Sequence, residues 1–403
     1  MENQRTLLYF TLFFIIYLLW AQWQMDYSPQ PVEQVVAENQ AGIESGVPAA
    51  AFTSTGANNV AAQPVAMASS QRIKIITDVL DIEIDTRGGD IRKATLRKYA
   101  AEAEKPEVKV EMLTDDEINF HIAQSGLVSV NKETAPTHND IYSAEQTTYR
   151  LAEGVDEIKV PLHWQAKDGS TVTKLYTFRR DDYTINVDHK ISAGINGWSG
   201  SQYMQLFRSQ PVNESESMFI NTYTGGVVFN EEIKYEKIDF DDIQDENLKL
   251  ENEDGWIAMI QHYFLAAWIP EGEGKNLYFS RYDAANDRYV LGARTSAKRL
   301  QPNEQAEFNS RFVVGPKLQN KLEEIEPGLE LTVDYGVLTI IAKPLFWLLN
   351  FFHGIFANWG WAIIFLTITV KALFYKLSEM SYKSMAKMRK VAPRIKKMKE
   401  QFG

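Results

Sequence analysis

The pattern of apolar and polar positions changes character several times along the chain. Leu7 to Trp23 is apolar almost without interruption and ends in Trp20 and Trp23. Ala21-Gln-Trp-Gln-Met-Asp26 lacks the small residues that a signal-peptide cleavage site needs, so the run predicts an uncleaved helical anchor over 1–27. Tryptophans at its end suit a membrane interface. From 28 to 70 the chain is rich in Ala, Gln, Asn, Pro, Ser and Gly, with no Lys or Arg and no apolar period. That composition predicts a flexible tether.

From 71 to 330 short alternating runs take over. Ile73 to Ile84 carries β-branched residues at alternating positions and stops at Thr86-Arg-Gly-Gly-Asp90, which predicts a strand and a glycine turn. Thr171 to Phe178 and Tyr183 to His189 flank a turn at Arg180-Asp-Asp182. Gly225 to Phe229, Gly255 to Met259, Asn276 to Ser280 and Phe308 to Val314 repeat the style. Many short strands joined by Gly, Asn and Asp turns predict a large antiparallel β-sandwich, closed by a helix through Lys321 to Ile325.

The apolar signal then returns at helical spacing. Over 331–357 an apolar stretch is broken by Lys343-Pro344, Asn350 and His353-Gly354. Lys343, Asn350 and His353 share one helix face, so an amphipathic helix lying in the membrane interface fits better than a span. The stretch 358–377 is apolar nearly throughout and predicts a second transmembrane helix. Lys371 lies inside it, where a charge costs about 2.5–3.5 kcal/mol on insertion scales. It falls about 18 Å below Trp359 at 1.5 Å per residue, deep in a hydrocarbon layer of about 30 Å. Thr367, Lys371, Tyr375, Ser378 and Tyr382 follow at steps of three or four and form one polar stripe. Such a stripe faces protein or a hydrated cavity in preference to acyl chains. Snorkelling of the lysine is the plainer alternative. Over 378–403 the helix is expected to continue to Lys390, with a turn or a new helix at Pro393.

Charge sharpens this layout. The chain of 403 residues carries a net −11, yet Lys383, Lys387, Arg389, Lys390, Arg394, Lys396, Lys397 and Lys399 crowd its end without an acid among them. The positive-inside rule puts that end and the N-terminus in the cytoplasm and the sandwich outside. An acidic total argues against nucleic acid as the main partner. No cysteine is present, which excludes disulfides, thiol catalysis and cysteine-bound metals. The six histidines never fall at a ligand spacing and read as surface or half-buried residues. Asp239 to Glu246 is acidic but lacks the spacing of a calcium loop and reads as a solvated loop. No cofactor, metal or nucleophile–base set is implied, so the chain is not expected to be an enzyme. A membrane-anchored sandwich that binds carbohydrate or acts like a mutarotase stands as the alternative function.

Several motifs carry a resemblance. Met1-Glu-Asn-Gln-Arg-Thr-Leu-Leu8, Thr77-Asp-Val-Leu-Asp-Ile82 with Thr86-Arg-Gly-Gly-Asp90, Gly255-Trp-Ile-Ala-Met259 with Ala267-Trp-Ile-Pro270, Leu331-Thr-Val-Asp-Tyr-Gly336 and Ser384-Met-Ala-Lys-Met-Arg389 resemble the YidC/Oxa/Alb family of membrane insertases, from end to end. The resemblance implies a Gram-negative inner-membrane protein with a periplasmic β-supersandwich. It also implies insertion and chaperoning of nascent membrane proteins in the lipid bilayer, alone or with the Sec translocon (SecYEG and SecDF), and contact with the ribosome. The function needs neither ATP nor a covalent intermediate. Lys371 occupies the place of the basic residue in the family's hydrophilic groove and Thr367 that of a polar groove residue; Tyr375 and Ser378 extend the surface. Lys383, Lys387, Arg389 and Lys390 belong to the first half of a cytoplasmic helical hairpin. Two residues depart from the pattern: lysine at 371 where arginine is usual, and Lys376 where a proline is common. The family also has further transmembrane helices after this point, so the chain is expected to be a C-terminally truncated form or a fragment.

Overall fold

In the computed structural model of the chain the described residues are 47, 69–211, 223–333 and 339–402; of these, the side chains of 339, 377, 387 and 389–402 lie outside the description. The expected anchor over 1–27 and nearly all of the tether over 28–70 therefore lie outside the described residues. The chain divides into two units, Met1–Thr332 and Val333–Gly403.

The first unit is built from two sheets. Among the described residues one has eleven strands and the other nine. The larger runs in spatial order Lys249–Asn252, Asn276–Asp283, Arg288–Arg294, Trp198–Arg208, His121–Ser129, Asp90–Glu102, Leu80–Asp85, Arg72–Ile76 and Thr148–Arg150. Two further strands, Lys298–Leu300 and Lys105–Leu113, pair beside this path. The smaller begins at Lys234–Ile238, Gly225–Asn230 and Trp256–Ile260. It continues through Phe264–Glu271, Gln305–Pro316, Thr184–Ser192, Thr171–Arg179 and Glu157–Gln165 to Ser143–Ala144. Pairing is antiparallel except where Arg72–Ile76 meets Thr148–Arg150.

Period-two alternation drives this assembly, because every second side chain can be buried between the sheets. Ile82, Ile84, Leu206, Tyr278 and Leu291 of the larger sheet meet Val187, Ile257, Trp268 and Phe312 of the smaller in one core. Each such side chain contributes about 1.5–3 kcal/mol on full burial. The run from Ile73 to Ile84 is two strands, not the single strand its alternation suggests. Thr77 Oγ1 accepts from the N–H groups of Val79 (3.2 Å) and Leu80 (2.9 Å). That turns the chain so that Ile75 lies opposite Ile82. At the next turn Gly88 and Gly89 hold φ of 72° and 60°, left-handed values that suit glycine.

Gly255 has φ +119°, and a Cβ there would lie 2.1 Å from the Phe229 carbonyl oxygen. Gly255→Ala is expected to cost about 2 kcal/mol, read as a lower urea midpoint without a change in slope.

Two other expectations are corrected. The acidic run after Asp239 is a short helix, α1 (Phe240–Asp245), not a loop. Its apolar side, Phe240 and Ile243, is buried, and the Asp239 N–H donates to Asp242 Oδ2 at 3.0 Å. His121, His138 and His189 are fully buried where surface or half-buried positions are expected. A helix α2 (Gln319–Ile325) and a 3-10 turn (Leu329–Thr332) end the unit, with Leu322 and Leu329 buried.

The second unit holds two helices, α3 (Thr339–Phe356) and α4 (Trp359–Phe402). Pro344 lies inside α3. The turn expected at Pro393 is absent, since α4 runs through it to Phe402. One proline removes one backbone hydrogen bond and can be carried within a long helix.

Candidate functional site

The turn between α3 and α4 is set by Ala357 and Asn358. Ala357 has φ +50°, and its N–H donates to the His353 carbonyl at 2.7 Å, which closes α3. Asn358 Oδ1 accepts from the N–H groups of Gly360 (2.8 Å) and Trp361 (3.3 Å), capping the first turn of α4. Aromatic rings join the two helices. His353 stacks on Trp359 with ring centroids 3.8 Å apart, and Phe356 on Phe365 at 4.5 Å. The register of α4 relative to α3 is therefore held along the side bearing Phe365.

Within α4, Trp359–Lys376 is 18 residues long and apolar enough to cross a membrane, with only 6% of it buried. It rises about 27 Å, close to the hydrocarbon thickness. Trp361, Ile363, Ile364, Ile368, Leu373 and Phe374 are all exposed. So much exposed apolar surface in one stretch is what lipid solvates.

Thr367, Lys371, Tyr375, Ser378 and Tyr382 all lie exposed on one side of α4. The structure thus brings every side chain of the predicted stripe onto one face, turned away from Phe365 and α3. Thr367 Oγ1 donates back to the Ile363 carbonyl at 2.8 Å, so its hydroxyl proton is satisfied within the helix.

At the lower end of the stripe Tyr375, Ser378, Glu379, Tyr382, Lys383 and Ala386 line a shallow open depression. Glu379 is the member that the sequence reading missed. Its carboxylate accepts from Lys383 Nζ at 2.6 Å, one helical turn on, and the spacing of Glu four residues before Lys was the available signal. Lys387, Arg389 and Lys390 lie on the same helix, with side chains outside the described residues.

A second polar cluster lies in the sandwich, one that no local pattern in the chain foretells. Lys174 points inward among Val172, Tyr176 and Phe178 and is fully buried. Its Nζ donates to the carbonyls of Gly88 and Ser125, both at 2.9 Å, and lies 5.5 Å from the Tyr176 ring centroid. Asp90, also fully buried, accepts from Gln124 Nε2 at 2.8 Å and sits 3.5 Å from Arg92 Nη2. Burial pushes the Asp90 carboxyl up to about 6 against the opposing charges of Arg92 and Lys174. Burial also pushes the Lys174 ammonium down to about 7, with Asp90 opposing. Gln205 Nε2 donates onward to Gln124 Oε1 at 2.8 Å. No group of three metal-ligating side chains occurs among the described residues.

A large β-sandwich joined to a helix long and apolar enough to cross a membrane defines a membrane protein with an extramembrane domain. Comparison with known proteins gives the family. Residues 72–348 match the family described as YidC periplasmic domain, and residues 351–403 match 60Kd inner membrane protein. The membrane protein insertase YidC of Methylococcus capsulatus is 44% identical over 406 aligned residues, covering 100% of this chain and 74% of that protein. The chain belongs to the YidC family of membrane protein insertases.

Among solved structures, an active YidC insertase crystal structure with its first transmembrane domain resolved aligns with TM-score 0.35 and 15% identity. It covers 83% of this chain and 63% of that one. A galactose mutarotase-like protein from Lactobacillus casei aligns with TM-score 0.43 and 9% identity, over 60% of this chain and 100% of its own length. At these values neither alignment bears on function, and the mutarotase-like alternative rests on fold resemblance alone. The family's activity, insertion of membrane proteins into the bilayer, is not enzymatic.

Proposed function

We propose that this chain inserts nascent membrane proteins by offering their polar, translocating segments the stripe on α4, with Lys371 as the attracting cation. The observation that carries this reading is the exposure of Thr367, Lys371, Tyr375, Ser378 and Tyr382 on one side of an apolar helix. A polar face at membrane depth is costly against acyl chains and favourable against a hydrated groove. An acidic segment entering from the cytoplasm would meet Lys371 before it leaves water entirely, while its apolar neighbours move into lipid beside the exposed Ile368 and Leu373. Binding and desolvation then replace any chemical step.

The finer layout belongs to the same proposal. Residues 1–27 anchor the chain with the N-terminus in the cytoplasm. α3 lies in the interface, and α4 crosses once before its basic end continues into the cytoplasm. Lys383, Lys387, Arg389 and Lys390 then face anionic headgroups or the ribosome, and the Sec translocon (SecYEG and SecDF) receives or delivers shared substrates. The charge asymmetry supports this sidedness.

Photo-crosslinking residues placed singly along α4 test the groove. Stalled nascent membrane proteins are expected to crosslink from positions 367, 371 and 375 at least about fivefold more strongly than from 369 and 373, about half a turn around the helix. Equal crosslinking from both faces would sink the assignment.

A further inference from the structure

Val47 comes from the stretch that composition marks as a free tether, yet it is only 6% exposed. It belongs to an apolar cluster with Phe120, Ile122, Tyr203, Phe207, Phe279 and Val290. All six partners lie on or beside strands of the eleven-stranded sheet, and alternation shows which face they occupy. Met204 and Leu206 enter the core between the sheets, while Tyr203 and Phe207 do not. Ala123, Tyr278, Tyr289 and Leu291 likewise point into that core, whereas Ile122, Phe279 and Val290 point the other way. The cluster therefore sits on the outer face of the sheet.

The seat has a defined construction. Phe120 and Phe207 meet edge to face with centroids 5.3 Å apart, and the Arg288 guanidinium stacks 3.6 Å from the Phe120 centroid. Asp90, Arg92, Gln124 and Gln205 are themselves fully buried. Gln124 and Gln205 share the outward register of Ile122 and Tyr203, so polar and apolar groups alike are shielded from water on this side.

We infer that Val47 docks the tether onto this outer face, at a built-in seat formed by Ile122, Phe207, Phe279 and Val290. The local sequence suits the task. A proline follows at position 48, and the residue before a proline is disfavoured in the helical region, which lowers the entropy Val47 loses on docking. Docking divides the tether near its middle. The docked residue thus ties the 28–70 stretch to the sandwich at one point along its length.

The absence of cysteine makes the test direct, since a single introduced thiol is the only one in the chain. Val47→Cys is made in the whole chain, and its alkylation by iodoacetamide is timed in native buffer and in urea. The expected result is a native rate at least tenfold below the urea rate. Adding Val290→Ala should bring the native rate up at least threefold while the urea unfolding midpoint shows the sandwich still folded. A native rate within twofold of the urea rate would overturn the docking. Protection unaltered by Val290→Ala in a folded protein would overturn the seat.

Discussion

Lys371→Glu in the intact protein is expected to reduce insertion of substrates with acidic translocated segments by more than tenfold, whereas Lys371→Arg leaves insertion within about twofold of the original. The magnitude follows from Coulomb's law. A charge about 7 Å from a substrate carboxylate in a half-hydrated groove, with an effective dielectric of about 40, contributes about 1 kcal/mol. Reversing its sign swings the interaction by about 2 kcal/mol, and a tenfold change in rate needs about 1.4. Arginine keeps the charge and adds a planar fork, so it preserves the attraction. Protease protection of newly made substrates in membranes depleted of the native insertase measures the effect. A substrate whose translocated segment is uncharged serves as the internal control, because the charge term vanishes for it. If the glutamate variant inserts the acidic substrate as well as the original does, attraction by Lys371 is not the mechanism. If it fails equally on both substrates, the defect lies in the helix and not in the charge.

That stripe was legible because helical spacing alone places Thr367, Lys371, Tyr375, Ser378 and Tyr382 on one side. No long-range contact is needed to see it. The sandwich was legible for a similar reason. Thr171–Arg179 and Thr184–Ser192 announce themselves by alternation, and Asp181 takes the turn between them with φ +52°. What escaped depends on contacts distant in sequence. Lys174 occupies an inward position of its strand, and nothing local tells an inward lysine from a register that points it to water. Its acceptors come from Gly88 and Ser125, far back in the chain. His138 is buried because its backbone N–H and Nδ1 both meet the Tyr203 hydroxyl, at 2.8 and 2.7 Å. Val47 was hidden by its neighbours, since a lone valine between Glu44-Ser-Gly46 and Pro48-Ala-Ala-Ala51 has no period to betray it.

The buried pair of Lys174 and Asp90 gives the sandwich an unusual dependence of stability on pH, and Lys174→Met should remove half of it. Burial holds the lysine near 7 in the folded chain, against 10.5 when free. Between those values the unfolded state binds a proton that the folded state does not, so stability rises with pH. Its contribution is complete above 10.5 and is lost as pH falls through about 7. Asp90 behaves oppositely. Its carboxyl is raised from 3.8 to about 6, so its contribution is complete below 3.8 and is lost as pH rises through about 6. Together they place a minimum between about 6 and 7, with stability rising on both sides. The geometry suits a neutral amine, whose two N–H groups match the two carbonyl acceptors at 2.9 Å. At 1.36 kcal/mol per unit, the alkaline limb from Lys174 is worth about 5 kcal/mol. Methionine cannot titrate, and it leaves the Gly88 and Ser125 carbonyls without the Nζ donor, at a cost of about 1–3 kcal/mol. The solubilised chain and its Lys174→Met variant, unfolded in urea at pH 6.5, 8 and 9.5 and followed by tryptophan fluorescence, separate these terms. The original is expected to gain several kcal/mol over the variant across that range, and curves that stay parallel from 6.5 to 9.5 would show that Lys174 keeps its proton in the core.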